Sequence, residues 1–323
     1  MDKVMRCAAE GECVQDDDFA EDDALEVELL ASARSMFGEA HVLLAEDEAG
    51  EQVRILEVGE GFQSASYVGE RWADPVFAYF RAFDALLPAA AFDAEGKGAG
   101  ADAVLGPEGG ACADRDAGDC VREPAFRALM LGAGGCALPK HILKSCPHTQ
   151  VVAVEVDPEI MQLAKRWFFA SKAKSQFGER FRFVCADAVE FLNQSVEGEC
   201  AAQAGAVTQP WALPHRYHAI ANDVFAGIEV PSSLSGDEGL CLVKSCLEPG
   251  GRYGVNVVVD PEAGYGEMFA LVERLQRHFT YVETVDASDE EFGEWENFLV
   301  AASDEPLNIP GAIPLPESSD AKL

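Results

Sequence analysis

From Phe126 to Val259, short apolar runs alternate with segments of helical periodicity, and this alternation narrows the possible folds more than any other feature. FRALML (126–131), Val151–Val156, Phe181–Cys185, Tyr217–Asp223 and Tyr253–Val259 read as strands. They lack the polar–apolar alternation of a sheet wetted on one side. Leu138–Cys146, Pro158–Ala170, Ala188–Gln194 and Asp237–Leu247 read as the helices between them. Strands apolar on both faces need cover on both faces, which predicts an α/β domain with a mostly parallel sheet between helical layers. A further helix, Glu267–His278, leads to Tyr281–Val285 and Asn297–Ala301, joined by the acidic SDEEFGEWE. Two strands so connected predict a terminal antiparallel hairpin.

Ahead of this lies a small N-terminal β domain, residues 38–70. His41–Ala45, Gln52–Val58 and Phe62–Val68 read as strands, punctuated by Glu48-Ala49-Gly50 and Gly59-Glu60-Gly61. Asp74-Pro75 then has the form of an N-cap and first helical residue for VFAYFRAFDALL. Residues 1–37 are expected to be a flexible acidic arm and 71–303 the α/β domain. Within that domain, the Gly-, Ala- and Asp-rich stretch 94–122 and the stretch 195–216 read as mobile insertions. The Pro-, Asp- and Ser-containing tail 304–323 is expected to be disordered.

The chain carries 57 Asp+Glu against 24 Lys+Arg, a formal net charge of −33, and a field of that sign repels phosphates. Nucleic acid is therefore excluded as a partner, while a cationic small molecule such as an amine is permitted. A generally acidic surface accounts for the charge equally well. No apolar stretch is long enough to span a membrane, and the N-terminus turns acidic where a signal peptide needs an apolar core. A cytoplasmic location is expected. The ten cysteines form no Cys-x-x-Cys pair, which fits reduced thiols and gives no metal site.

The local motif with most chemical content is LGAGGCA (131–137), between a strand and a helix. Glycines there let backbone approach a ligand closely and turn sharply into the helix. Gly132-x-Gly134-x-x-Ala137 also fits a dinucleotide fingerprint, so a nicotinamide-dependent oxidoreductase is one reading. Three carboxylates then recur at successive strand ends: Glu155, suited to ribose hydroxyls, Asp187 in CADA, suited to an adenine amino group, and Asp223 in NDVFAG. All fall at the carboxyl edge of the sheet, where open α/β folds bind ligands. Asp157, before Pro158, is better read as a helix cap.

These residues resemble the spermidine synthase-like proteins of the aminopropyltransferase and class I methyltransferase superfamily. The resemblance rests on LMLGAGGCALPKHIL (129–143), VVAVEVDPEIMQLAKRWF (151–168), FVCADAVEFL (183–192), YHAIANDVFAGIEVPSSL (217–234) and LEPGGRYGVNVV (247–258). It extends more weakly to GFQSASY (61–67) and PVFAYFRAFD (75–84), and covers roughly residues 40–302. It implies a Rossmann-like methyltransferase fold with the terminal antiparallel hairpin, and a co-substrate that is S-adenosylmethionine or its decarboxylated form. Gly132 and Gly134 would flank the nucleoside, Glu155 would hold its ribose, Asp187 would face the adenine, and Gln63 would reach the ligand. Tyr67 and Tyr79 would line the acceptor side, and Asp223 falls on the catalytic aspartate that orients and deprotonates the attacking amine. A homodimer is also implied.

Two departures bear on the reaction. Where spermidine synthases carry an aspartate in the glycine loop, this chain has Gly135, and where they carry a second diamine-gripping aspartate it has Ala226. Each loss removes charge-assisted hydrogen bonds to cationic groups, worth about 1.5–3 kcal/mol apiece. Methyl transfer thereby stands beside aminopropyl transfer, and a non-catalytic nucleoside-binding protein is a third reading. His141, His148, His215 and His218 pair with no nucleophile motif, Trp167-Phe168-Phe169 reads as core, and Trp211 is uninformative.

Overall fold

The computed structural model describes residues 27–47, 49–59, 61–88, 126–203, 215–288 and 295–313. The insertion expected at 94–122 lies outside them, as does most of the expected arm. An antiparallel sheet of four strands comes first: β1 (Glu28–Ser35), β2 (Gly38–Glu46), β3 (Gln52–Val58) and β4 (Gly61–Tyr67), paired in sequence order. The first of these strands corrects the reading of 1–37 as an arm throughout. The acidic run that suggested disorder ends before Val27, and ELLASARS pairs antiparallel with β2, with one register shift between Leu29 and Ala31.

The second sheet contains β5 (Phe126–Leu131), β6 (Thr149–Glu155), β7 (Phe181–Cys185), β8 (Tyr217–Asn222), β9 (Leu247–Val259), β10 (Tyr281–Asp286), β11 (Glu296–Ser303) and β12 (Ala312–Ile313). Its order is β12-β10-β11-β9-β8-β5-β6-β7. The five strands from β9 to β7 run parallel, whereas β11 is antiparallel to both β9 and β10. Strand order reverses between β5 and β8, which opens a crevice beyond their carboxyl ends. This is the architecture expected from the alternation, closed by the expected hairpin. The tail is corrected in part: Leu307 and Ile309 are buried, and β12 adds to β10 as an edge strand.

Both faces of the parallel strands are covered. On one side β5, β6 and β8 bury Ala128, Met130, Ala153 and Ala221 against α1 (Ala78–Ala82), α2 (Ala137–Ser145) and the N-terminal sheet. On the other side Leu129, Val152 and Ile220 meet α5 (Ala188–Gln203), α7 (Asp237–Ser245) and α8 (Gly266–His278). Between lie α3 (Pro158–Trp167), α4 (Ala170–Phe177) and the single-turn α6 (Ser232–Ser235). The N-terminal sheet buries Ala40, Val42 and Leu56 against Ile160, Leu163 and Phe168 from α3 and its end. Its opposite face, with Leu43, Ile55 and Tyr67, merges into the main core.

Three helical expectations change. The helix predicted from Pro75 begins only at Ala78, with extended Phe77 as its uncapped start, and gives way to a 3-10 turn at Phe83–Leu86. Asp74 does not cap it, because its carboxylate is taken by Lys144 at 2.7 Å and by Arg71. The helix predicted over Pro158–Ala170 breaks at Phe169, whose φ of 62° is left-handed, and restarts as α4. α5 runs through Gln203, so the first part of the insertion expected at 195–216 is helical, with Ser195 buried and bonded to Phe191 O.

Candidate active site

The crevice floor is the turn from β5 into α2. Gly132 and Gly134 have φ of 76° and 47°, values that L side chains rarely adopt. A Cβ on Gly132 would lie 2.8 Å from the Asp223 carbonyl carbon, so only glycine lets this loop pass the end of β8. Gly132 N and Ala133 N both donate to Val154 O at 3.0 Å, tying the loop to β6 as well. Cys136 completes the turn at a φ of 59° and starts α2 without a side-chain cap. The first N–H groups of that helix thus lack a side-chain acceptor at the cap position.

Glu155, at the end of β6, is almost fully buried. One carboxylate oxygen accepts from Gly134 N at 2.9 Å and the other from Asp157 N at 3.0 Å. Burial raises its pKa and these backbone donors oppose the rise. A carboxylate offers about four acceptor sites, which leaves capacity for a ligand hydroxyl beside these backbone donors. Asp157 caps α3 through Glu159 N and Ile160 N, and its second oxygen accepts from Met36 N, which clips the β1–β2 hairpin to the helix.

Asp223 follows β8, and its backbone N donates to Leu131 O at 2.9 Å. Its Oδ1 accepts from Asn256 Nδ2 at 2.9 Å and its Oδ2 from Tyr79 OH at 3.4 Å. Burial raises its pKa to about 7, against the lowering effect of the two donors and with a further upward push from Glu155. The Tyr79 hydroxyl is held well above its usual range by burial and by Asp223, so it stays protonated and acts as a donor. Around neutral pH the crevice therefore holds a carboxyl group poised between its two states, with fixed donors on both oxygens.

No protein-family model matches the chain. Over 146 residues, 43% of the chain, it is 30% identical to the eEF1A lysine and N-terminal methyltransferase of Bos taurus. That stretch spans 18% of the relative's length. Among solved structures, a probable spermidine synthase from Corynebacterium glutamicum ATCC 13032 superposes with a TM-score of 0.57 at 18% identity, over 85% of this chain and 80% of that one. Spermidine synthase from Thermotoga maritima superposes with a TM-score of 0.51 at 13% identity, over 86% of this chain and 73% of that one. The chain has the fold of these spermidine synthase structures.

Within that fold, the structure brings Gly132, Gly134, Glu155, Asp223 and Tyr79 together at one sheet edge. Gln63, on β4, is exposed, and its carbonyl oxygen lies 3.7 Å from the Cβ position of Gly134, which puts it at the loop. Tyr67 is buried in the core with the Arg71 guanidinium 3.9 Å from its ring centroid. Asp187 is exposed and accepts from Val189 N and Glu190 N at the start of α5. It therefore caps the helix whatever else it binds.

Two residues of the site escaped sequence reasoning. Asn256 is a single amide within the apolar strand GVNVVV, which was its only signal. Ser64 faces the glycine loop: a Cβ at Gly135 would stand 2.6 Å from Ser64 Oγ and 3.2 Å from Phe168 Cδ1. Nothing in the sequence of either segment announces that contact. Among the described residues no cluster of three or more His, Cys, Asp or Glu side chains has the form of a metal site, and no helix is long and apolar enough to cross a membrane.

Proposed function

We propose that this chain is a transferase that uses S-adenosylmethionine to methylate an amine, with Asp223 as the base on the acceptor side. The observation that carries the reading is the Asp223 carboxyl, held by Asn256 and Tyr79 on a residue whose backbone packs against the Gly132 turn. Positive-φ glycines put backbone rather than side chains at the nucleoside position, and the remaining acceptor capacity of Glu155 suits ribose hydroxyls. The co-substrate supplies an electrophilic sulfonium carbon. Gly132, Gly134, Glu155 and Gln63 would hold it, with Asp187 beside the adenine.

An ammonium has no lone pair to attack with, so the acceptor must lose a proton before or during transfer. The Asp223 carboxylate accepts that proton as the new N–C bond forms and the C–S bond breaks. A positioned base of this kind contributes about 10²–10⁴-fold. Tyr79 and Asn256 fix the carboxylate so that the amine meets it in one orientation.

The choice of methyl over aminopropyl transfer rests on Gly135. The side-chain space there is filled by Ser64 and Phe168. No carboxylate can stand at that position to hold the amino group of an aminopropyl donor unless Ser64 moves. The Bos taurus relative is likewise a methyltransferase. Aminopropyl transfer is the second reading, favoured by a likeness to the probable spermidine synthase that takes in 85% of this chain.

The full chain incubated with S-adenosylmethionine or its decarboxylated form, together with putrescine, a lysine-containing peptide and a peptide with a free N-terminus, separates these readings. S-adenosylhomocysteine as product supports methyl transfer, and methylthioadenosine from the decarboxylated donor supports aminopropyl transfer. Neither product, with nucleoside binding detected by calorimetry, overturns the transferase reading in favour of a nucleoside-binding protein. A fluorescence change on titrating NADH, with no binding of either donor, would instead favour an oxidoreductase.

A further inference from the structure

On the face of the sheet built from α7 and α8, three side chains form a second chemical cluster. Cys241, in the middle of α7, is exposed, and its Sγ lies 3.7 Å from Nδ1 of His278, in the last turn of α8. The other ring nitrogen, Nε2, lies 2.8 Å from Oδ1 of Asp237, in the first turn of α7. α8 leaves the crevice edge after β9 and runs back across the sheet, so His278 lies toward the opposite edge.

The arrangement fixes the imidazole tautomer. An ionised carboxylate only accepts, so the ring hydrogen sits on Nε2, and Nδ1 turns a lone pair to the thiol. The Cys241 proton can pass to Nδ1, leaving a thiolate beside an imidazolium that Asp237 stabilises. This is the relation of nucleophile, base and orienting group that activates a thiol. Arg277 also binds Asp237, at 3.1 Å, and keeps the carboxylate ionised. Lys244, one turn along α7, bonds His278 O and Asp304 and adds positive charge. Glu238, one turn back, works against the thiolate.

We propose that Cys241 is a modification site that takes small disulfides, activated by His278 and Asp237. The Cys241 thiolate attacks one sulfur of the disulfide, a new S–S bond forms as the old one breaks, and the departing thiolate takes the proton from His278. The small disulfide is itself the oxidant: Cys241 is oxidised to the mixed disulfide as the departing half is reduced to a thiol. Cys185 provides an internal comparison: it is also exposed, but its Sγ lies against Val156 O and, among the described residues, is paired with no histidine. Cys136, Cys146 and Cys246 are buried and report unfolding if they react.

The test uses the full chain with 2-hydroxyethyl disulfide, which is uncharged and so is not repelled by the acidic protein, followed by peptide mass spectrometry over a time course. At pH 7, Cys241 is expected to react about tenfold faster than Cys185. His278→Gln and Asp237→Asn should each bring Cys241 down to the rate of Cys185, with the buried cysteines silent. Equal rates in the unaltered protein overturn the proposal. So does an unchanged Cys241 rate in a folded His278→Gln variant, and where that variant exposes the buried thiols, Asp237→Asn decides.

Discussion

Asp223 and Lys140 both place an ionisable group in a desolvated setting, one at the mouth of the crevice and one sealed in the seam between the two sheets. Lys140 Nζ donates to Ser66 Oγ on β4 and, at 2.8 Å, to Phe168 O at the end of α3. Asp223 takes its hydrogen bonds from an amide and a phenol. The partners of both are neutral, and burial moves both toward the uncharged form, to about 7 in each case. A buried charge without an opposite charge is costly, so each group titrates instead. Only 1% of Lys140 is exposed, and its protonation can change nothing but the fit between sheets. Asp223 keeps part of its surface open to the crevice, where, in the proposed function, the same shift would set a proton acceptor for an amine. Desolvation that is only a cost in the seam would, under the proposed function, serve proton transfer at the sheet edge.

The largest effect should come from taking the charge out of the crevice. Asp223→Asn keeps the shape and both neighbours, and transfer should fall by about 10²–10⁴-fold. Stability should move the other way. With a folded pKa raised from its ordinary 3.8 to about 7, Asp223 gives stability that is fully present below the lower value and lost as pH rises through the upper one. The variant lacks that loss, so its melting temperature should exceed that of the parent above pH 7 and converge with it near pH 4. Scanning calorimetry across that range checks the sign. A variant that is both inactive and less stable at pH 8 would make Asp223 a structural residue.

Lys140→Met probes the seam in the same terms. Here the folded pKa is depressed from 10.5 to about 7, so the stability contribution is present above the higher value and lost as pH falls through the lower. The parent should therefore weaken from pH 10 to pH 7 relative to the variant, whose difference curve removes all other titrating groups. At pH 10 the variant should be the weaker protein, since Ser66 and Phe168 O lose their donor, at about 1–3 kcal/mol for each unsatisfied group. Urea unfolding at several pH values reads both ends. The proposed transfer activity at pH 8 should change far less than with Asp223→Asn.

Legibility in the sequence differed between these two regions for a physical reason. Gly132, Gly134, Glu155 and Asp223 were readable because a strand end at a switch point leaves a local mark: an apolar run, then a glycine or a carboxylate. The parallel sheet was readable for the same cause, since burial on both faces writes itself as uninterrupted apolar strands. Lys140 looked like one more basic residue of a helix, because its partners are 74 and 28 residues away and neutral. Ser64 was silent on the same ground. β1 was hidden by the acidic run before it, and the break at Phe169 by a backbone angle that no side-chain pattern encodes. The Asp74-Pro75 signal misled because the capping carboxylate found two cations first.

The smallest predicted effects separate the two donors on Asp223. Asn256 donates at 2.9 Å and Tyr79 at 3.4 Å, and both stabilise the carboxylate over the acid. Removing either should move the rising limb of the pH–rate profile upward, and the shorter bond should move it further. A hydrogen bond to a charged group is worth about 1.5–3 kcal/mol, so Asn256→Leu should shift the midpoint by about one to two pH units. Tyr79→Phe should shift it by less and leave the plateau rate at high pH close to that of the parent. Asn256→Gln should restore part of the shift if its longer amide reaches Oδ1. Equal midpoints in all three variants would mean that Asp223 is tuned by burial alone, and the difference between crevice and seam would then lie only in solvent access.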